Sequence, residues 1–438
     1  MNWFRKSKPN VETDVLVIGT GGAGLAAALA AHQGGAKVTI IEKASKIGGT
    51  TAVSGGVLWI PTNHHMREAG IDDSRAEALA YVTRLSDGRS DPKLIELFLD
   101  EAPQMLKFIE EATPVKFTAL PRYPDYHPEF TGAKPGGRSL DPGLFDTNTL
   151  GAWKDKLRKS PVFGMTAMSV TEATDWGVFA KPRALPFKLL GQRFSQGLVC
   201  YGGALVGGLL KGLLDKGIEP LLSTAAKELL VEDGRVVGLR AERDGKDFVI
   251  SAKKGVILAS GGFEWSKELV ARFLGGQLTH PNSPPTNEGD GLKMAMALGA
   301  DLGNMSEAWW CPSVDVPGEE YDGVQLHRGD FAIRSLPHSI IVNKRGQRFV
   351  NEAHNYNDMM KPFFGFDPVA YERPNLPAWL ILDQQFVERY ALLTVIPGMP
   401  VPEWIRRADS LSALAQLLGV DAGAAFGADG AGMHFQRV

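Results

Sequence analysis

Two stretches of this chain combine residue types that could do chemistry. The first is Gly19-x-Gly21-x-x-Gly24, with Glu42 placed 23 residues after Gly19. Gly19 permits a tight turn, Gly21 lets backbone approach a pyrophosphate, and Gly24 lets a helix pack closely on a strand. A helix opening there offers unpaired amides and a positive dipole end to phosphate. A carboxylate at Glu42 could accept hydrogen bonds from a ribose. The second stretch is "RYPDYHPEF", Arg122 to Phe130. Pro124 and Pro128 remove backbone donors and stiffen it into a loop that is neither helix nor strand. Tyrosine is costly in a solvated loop unless its ring packs or its hydroxyl is used. Tyr123 and Tyr126 are therefore either a wall of the core or phenols presented to a substrate.

The surrounding elements decide the first case. Val15–Ile18 is a short apolar run suited to a buried parallel strand, an Ala/Leu-rich helix follows the glycines, and a second apolar run, Lys37–Ile41, closes on Glu42. This is a βαβ unit for a dinucleotide. NAD and FAD share it, but here "IGGTTAVSGG" comes directly after the acid. Its small and hydroxyl residues admit close backbone approach by a second, larger ligand portion, so the cofactor is read as FAD. The contacts expected are Gly19, Gly21, Gly22, Ala23, Gly24, Glu42, Lys43, Gly49, Thr50, Thr51, Ser54, Gly55 and Gly56. Val256–Ala259 reads as a buried strand ending at Ser260-Gly261-Gly262, a second place for backbone to meet the cofactor, at Ser260 and Gly261.

Elsewhere, Asp73–Thr113 shows apolar residues at helical spacing. Pro/Gly-rich sequence then runs to about Gly191 and reads as a cover over the core. "LVCYGGALVGGLLKGLLDKG" reads as a helix with small residues on one face. Asp233-Gly234 and Asp244-Gly245 separate β-prone runs, a strong hairpin signal.

Composition bounds the partners. The 438 residues are 44% hydrophobic and 22% charged, with a formal net charge of −3, which gives no reason to expect nucleic acid or an anionic membrane. Two cysteines, Cys200 and Cys311, exclude a disulfide framework and have no metal-ligand spacing, so no metal is expected. The N-terminus is basic without an apolar run, and Val15–Ala31 is broken by glycines, so neither a secretory signal nor an integral membrane segment is expected. A cytoplasmic enzyme is the default.

These features together resemble the flavoprotein family of fumarate reductases and succinate dehydrogenases. Within it the chain is most similar to the 3-ketosteroid dehydrogenases, which introduce a ring-A double bond. The resemblance runs from about Glu12 to about Val420. Its further motifs are "NEGDGLKMAMALGADLGNM", "AWWCP" and "IIVNKRGQRFVNE". It implies an α/β fold: a Rossmann-like FAD-binding domain with a β-hairpin extension over residues 1–272, and an inserted α+β substrate (capping) domain over 273–425, with an atypical tail at 426–438. It adds cofactor contacts at Asp290, in "GDG", and at the backbone of Ala226.

Fumarate-reducing members carry an arginine four residues past the glutamate of the last motif. This chain has Tyr356 there, and "SEAWWCP" where those members have a His-Pro-Thr element. Both departures argue against a dicarboxylate, which needs basic clamps. Trp309 and Trp310 suit a flat apolar substrate better. In the ketosteroid dehydrogenases the position of Tyr356 is a tyrosine, and a second catalytic tyrosine lies in a Pro-Asp-Tyr element, here Pro124-Asp125-Tyr126. The resemblance thus implies that Tyr126 is presented to substrate while Tyr123 packs. It assigns Tyr356 to take a proton, Tyr126 to support its ionised form and flavin N5 to accept a hydride from a small apolar, steroid-like ketone. Arg138, in "GGRSL", is a candidate brace for the Tyr126 loop. No nicotinamide site is visible, which leaves the electron acceptor unidentified.

The resemblance also implies a C-terminal segment that returns to the flavin domain and polarises the ketone. The run "DAGAAFGADGAGMHFQRV" does not match it, so the chain is expected to lack that segment. Two other readings therefore stand beside the dehydrogenase: a fumarate-type reductase of an activated double bond, and a truncated flavin-binding protein without turnover.

Overall fold

The computed structural model describes residues 8–162 and 167–420. The tail expected to be atypical lies outside them. The described chain divides into two compact units: the residues up to Glu172 with Phe187–Glu307, and Ala173–Pro186 with the residues from Ala308 on.

The first unit is built on β1 (Val11–Ile18), α1 (Gly22–Gln33), β2 (Val38–Ile41) and α2 (Gly49–Val53). Two longer helices follow, α3 (Arg75–Ser86) and α4 (Pro92–Ala112), where helical spacing predicts them. Ser74 caps α3 by accepting the Glu77 N–H, and Asp91 caps α4 by accepting the Lys93 N–H. Next come α5 (Tyr201–Leu214), β3 (Thr224–Glu232), β4 (Arg235–Arg243), β5 (Lys246–Leu258) and α6 (Asp290–Ala297). One sheet takes the order β2-β1-β5-β4-β3. β1 runs parallel to both β2 and β5, ending in register at Ile18↔Ile41 and Ile18↔Leu258. The hairpins β3–β4 and β4–β5 are antiparallel. Their turns are the two Asp-Gly pairs, with φ of 49° and 75° at Asp233-Gly234 and 52° and 72° at Asp244-Gly245. Both residues of each turn are left-handed, which matches the twist of the flanking strands.

β5 differs from expectation. It is one continuous strand of 13 residues rather than a short buried one. β4 pairs with Lys246–Ser251 only, while β1 lies along Ile250–Leu258. Past Ser251, among the described residues, β5 has a neighbour on one side alone, and Ile257 and Leu258 are 38% and 37% exposed.

α5 explains its own composition. Eleven of its residues are buried, so it sits inside the core rather than on it. A Cβ at Gly208 would stand 2.3 Å from a methyl of Val115, and one at Gly202 would stand 1.8 Å from the Thr51 carbonyl oxygen. These glycines thus let neighbours reach helix backbone. Leu209, Leu210 and Leu213 are buried on the same helix, each adding about 1.5–3 kcal/mol of burial.

The second unit is α+β. It contains the hairpin β6 (Ser313–Tyr321) and β7 (Val324–Gly329), and the antiparallel pair β8 (Ser339–Asn343) and β9 (Ala378–Leu382). Its small cores gather Ile341, Met359 and Phe363, and Ile333, Phe386 and Leu392. No disulfide joins Cys200 and Cys311. Among the described residues no helix is long and apolar enough to cross a membrane.

Candidate cofactor site and active site

The carboxyl ends of β1, β2 and β5 form one edge, with β1 the strand from which the chain order departs in both directions. That is where doubly wound sheets take nucleotides. The expected glycines converge there but divide into two kinds. Gly19 (φ 106°) and Gly24 are packed against protein: a Cβ on Gly19 would meet the Ala259 oxygen at 2.3 Å, and one on Gly24 the Gly19 oxygen at 2.0 Å. Gly56 (φ 66°) lies equally tightly against the Tyr201–Gly202 backbone. Gly55 instead faces open space, with nothing within 4 Å of its Cβ position, and a Cβ at Gly21 or Gly49 would meet only ordinary contacts, at 3.6 and 4.0 Å.

The N-terminus of α1 carries no capping bond from its N-cap residue Gly21 and no acidic side chain in its first turn. Thr51 Oγ1 accepts the Gly22 N–H at 3.0 Å, while Ala23 and Gly24 complete that turn. An open cradle of glycines at a dipole end without acid is what a pyrophosphate requires, so the residues present fit FAD.

The polar residues around this cradle are braced by one another. Glu42 is 9% exposed and accepts from Thr20 N–H (3.0 Å), Thr20 Oγ1 (2.5 Å) and Ala44 N–H (2.9 Å). Its Oε1 accepts only the last of these and retains acceptor capacity. Lys43 Nζ donates to Asp290 Oδ2 at 2.8 Å, to Thr286 O at 3.2 Å and to Glu288. Burial would lower the Lys43 pKa, but the two carboxylates outweigh it and hold the ammonium charged. Lys43 and Asp290, two expected cofactor contacts, therefore pair with each other and tie β2 to α6. Asn287, which opens the motif "NEGDGLKMAMALGADLGNM" but is not among the expected contacts, donates to Thr50 Oγ1 and Glu264 Oε1, each at 2.8 Å. Ser54 Oγ bonds the Thr51 oxygen at 2.8 Å and accepts the Gly56 N–H at 3.1 Å. Ser260 packs at Gly291, Gly261 (φ 78°) lies on Asn287, and Ala226 pairs with Ala241 across β3 and β4.

Tyr123 packs, as expected, beside Leu120, Val170, Cys200 and Tyr201. Tyr126 is half-buried, and the structure fixes both of its neighbours. Asp125 is 4% exposed and accepts from Trp59 Nε1, the Lys134 N–H and Arg138 Nη1, each at 2.8 Å. Arg138, with no exposure at all, forks onto Asp73 at 2.8 and 2.6 Å, under the rings of Trp59 and Tyr81 at 5.6 and 5.5 Å. On the other side the His127 N–H donates to Tyr81 Oη at 3.1 Å. Burial pushes the Tyr81 hydroxyl up to about 12, so it stays a neutral phenol in this role. The brace suggested by "GGRSL" exists. Its other members (Asp73, Trp59 and Tyr81) gave no sequence signal, because each is an ordinary residue until the fold brings it to the arginine.

In the second unit, Trp309 Nε1 donates to Tyr356 Oη at 3.0 Å, and Phe331 stands edge-on to Tyr356 with centroids 5.0 Å apart. Trp309 is 80% and Phe331 44% exposed, giving an aromatic patch around one phenol. Trp310 differs from its neighbour. It is 7% exposed, packs on Phe364 at 4.7 Å and donates its backbone N–H to Asn357 Oδ1 at 2.8 Å. Of the two tryptophans expected at the substrate, Trp309 alone shows its ring. Beneath them Arg334 is buried, donating to the Asp330 and His354 carbonyls at 2.8 Å each. Burial lowers its pKa against the pull of Asp330, and Tyr356 lies within its electrostatic reach. Cys311 is pushed up to about 12 by burial and is no nucleophile.

Comparison with known proteins gives the family. The profile of the family described as FAD binding domain matches residues 14–400. The chain is 37% identical over 421 residues to the 4-oxocyclohexanecarboxylate 2-dehydrogenase of Sinomonas cyclohexanicum, covering 94% of this chain and 72% of that one. It is 36% identical over 440 residues to the 3-oxosteroid 1-dehydrogenase of Mycolicibacterium smegmatis, covering 94% and 75%. Among solved structures, the 3-ketosteroid delta1-dehydrogenase of Sterolibacterium denitrificans, in complex with 1,4-androstadiene-3,17-dione, superposes with a TM-score of 0.86 at 34% identity, covering 94% and 77%. The chain belongs to this family of FAD-binding flavoproteins. It is an FAD-dependent oxidoreductase acting on CH–CH donors.

Proposed function

We propose that this flavoprotein dehydrogenates a 3-ketosteroid-like substrate, introducing a double bond into the ring that bears the ketone. The observation that carries the reading is Tyr356, bonded by Trp309 and flanked by Phe331 in an exposed aromatic patch. When bound, FAD supplies the acceptor for a hydride, at N5. The chain's residues supply the rest. Tyr356 takes the proton made acidic by the neighbouring ketone. A free phenol, with a pKa of about 10, is a weak base for that step. The Trp309 N–H and the nearby Arg334 favour its ionised form. Tyr126, on a loop anchored through Asp125 and His127, is the second tyrosine that the family resemblance assigns to catalysis. Gly21, Gly49 and Gly55 make room for the cofactor. Lys43, Asp290, Ser54, Gly19 and Gly24 hold the shape of that room, and Glu42 Oε1 is its ribose acceptor.

The relatives divide over substrate. One is named for a carboxylated cyclohexanone and another for a 3-oxosteroid, and both names describe oxidation of a ring carrying a ketone. The aromatic patch supports the flat, apolar member of that pair. The test is anaerobic addition of a 3-ketosteroid, and separately of 4-oxocyclohexanecarboxylate, to the flavin-loaded protein. Bleaching of the flavin absorbance by the steroid, lost in Tyr356→Phe with flavin retained, is expected. Bleaching by the carboxylate alone refutes the steroid reading. Reoxidation by fumarate after chemical reduction, with no bleaching by either ketone, points to the reductase alternative.

A further inference from the structure

A cluster unconnected with the flavin chemistry sits where the chain leaves the glycine loop for α3. His64 and His65 open the short helix His65–Glu68, and Glu110 lies in the last turn of α4. His64 Nε2 is 2.8 Å from Glu110 Oε2, and His65 Nε2 is 2.8 Å from Glu110 Oε1. The two rings lie 4.0 Å apart, and one ligand atom from each residue falls within 4.8 Å of the others. We propose that His64, His65 and Glu110 form a binding site for a divalent transition cation of the zinc class.

Three observations carry this. The donor set is two imidazoles and a carboxylate, which suits zinc and its neighbours rather than calcium or magnesium. The ligands are held in place beforehand. Asn63, 4% exposed, accepts the His65 N–H at 3.1 Å through Oδ1 and donates through Nδ2 to Ile60 O (2.7 Å) and Gly137 O (2.9 Å). The Phe117 N–H fixes Glu110 Oε1 at 3.0 Å. Finally, an outer partner is in place, since Glu68 Oε2 stands 3.6 Å from His65 Nδ1. Ligating histidines commonly give their second N–H to a carboxylate.

Where a ring donates to Glu110 its hydrogen is on Nε2, and the cation takes that lone pair once the hydrogen sits on Nδ1. Glu68 is on the side of His65 that then needs an acceptor. Three protein ligands leave a fourth position for water or an exogenous ligand. Such a cation would tie the short helix to the last turn of α4.

The experiment uses the whole flavin-loaded chain, stripped with a chelator and titrated with ZnCl2 by calorimetry, with Co2+ as a visible-spectrum probe. One tight site per chain is expected, with Co2+ bands shifted from those of the aquo ion. His65→Ala is expected to weaken zinc binding by at least about 100-fold, and Glu68→Gln, at an exposed outer partner, by about 10-fold. Retained flavin absorbance and far-UV circular dichroism show that each variant is folded. Glu68→Gln also serves where His65→Ala does not fold. Wild type that binds zinc no more tightly than His65→Ala, or than Glu68→Gln if that variant alone folds, overturns the proposal. So does wild type that leaves the Co2+ spectrum unchanged. Neither result touches the dehydrogenase reading, which rests on other residues.

Discussion

Replacing Arg138 by methionine keeps most of the side-chain length and removes the charge. The side chains of Asp73 and Asp125 are 1% and 2% exposed, so both carboxylates would lose their cation without gaining water. Asp73 would keep the N–H groups of Thr62 (3.0 Å) and Ser74 (2.9 Å), and Asp125 those of Trp59 and Lys134. These bonds orient the charges but do not neutralise them, and the Lys134 ammonium is 4.0 Å from Asp73 Oδ1. Removing one side of a buried ion pair costs about 3–5 kcal/mol. Losing the guanidinium over Trp59 and Tyr81 adds about 1 kcal/mol. At a urea slope of about 2–3 kcal/mol/M, the midpoint should fall by about 1–3 M. Changing Asp73 and Asp125 to asparagine in the same chain removes the stranded charges and should restore most of the loss. The assay is urea unfolding of the single and triple variants followed by far-UV circular dichroism. A loss under about 1 kcal/mol in Arg138→Met, or a triple variant no more stable than the single, would refute the claim that charge burial is what makes this arginine necessary.

Three shorter tests address other parts of the molecule. Trp309→Phe keeps the ring but removes the donor to Tyr356. The limb on which the rate rises with pH should move to slightly higher pH, because water replaces part of the bond at an indole 80% exposed. An unchanged profile would separate that bond from the acidity of Tyr356. The glycines give a paired comparison. Gly202→Ala puts a Cβ 1.8 Å from the Thr51 oxygen and should cost about 1–3 kcal/mol or more. Gly55→Val, with nothing within 4 Å of its Cβ, should change stability by about 0.5 kcal/mol or less yet weaken flavin retention, read by absorbance after gel filtration. Burial would raise the Glu172 carboxyl, but Arg193 and the Ser169 N–H outweigh it and hold it low. A lowered folded pKa stabilises above the unfolded value of about 4.3 and loses that contribution as pH falls through the folded value. The stability gap between wild type and Glu172→Gln, from denaturant midpoints, should therefore be constant near neutrality and close below about pH 4.

What the sequence made legible was whatever backbone geometry demands locally. Gly19 and Gly24 stand where any side chain would strike a neighbouring carbonyl, and the Asp-Gly pairs stand where two successive residues must be left-handed. Each requirement leaves its mark at the position that carries it. Trp309 and Trp310 show the opposite case. Two adjacent aromatics outside any regular element have no period to say which one faces inward, so their different fates emerge only from packing against Phe364 and Tyr356. The Arg138 brace was visible as a candidate but not as a fact, because its partners lie 13 and 65 residues away. The length of β5 was misjudged for a related reason. Hairpin and parallel strand read as separate signals, and nothing local says that one chain segment serves both.

That double service has a kinetic side. The β3–β4–β5 hairpins close through two-residue turns, so they need little loop entropy and can form early. The pairing of β1 with β5 joins Val11 to Ile250, across nearly the whole first unit. Contacts that distant in sequence form slowly. Until they do, Gly19 does not meet Ala259 and the edge that receives the cofactor does not exist. Flavin uptake during refolding therefore reports the closing of this long loop, and it should lag behind the appearance of β structure in the same sample.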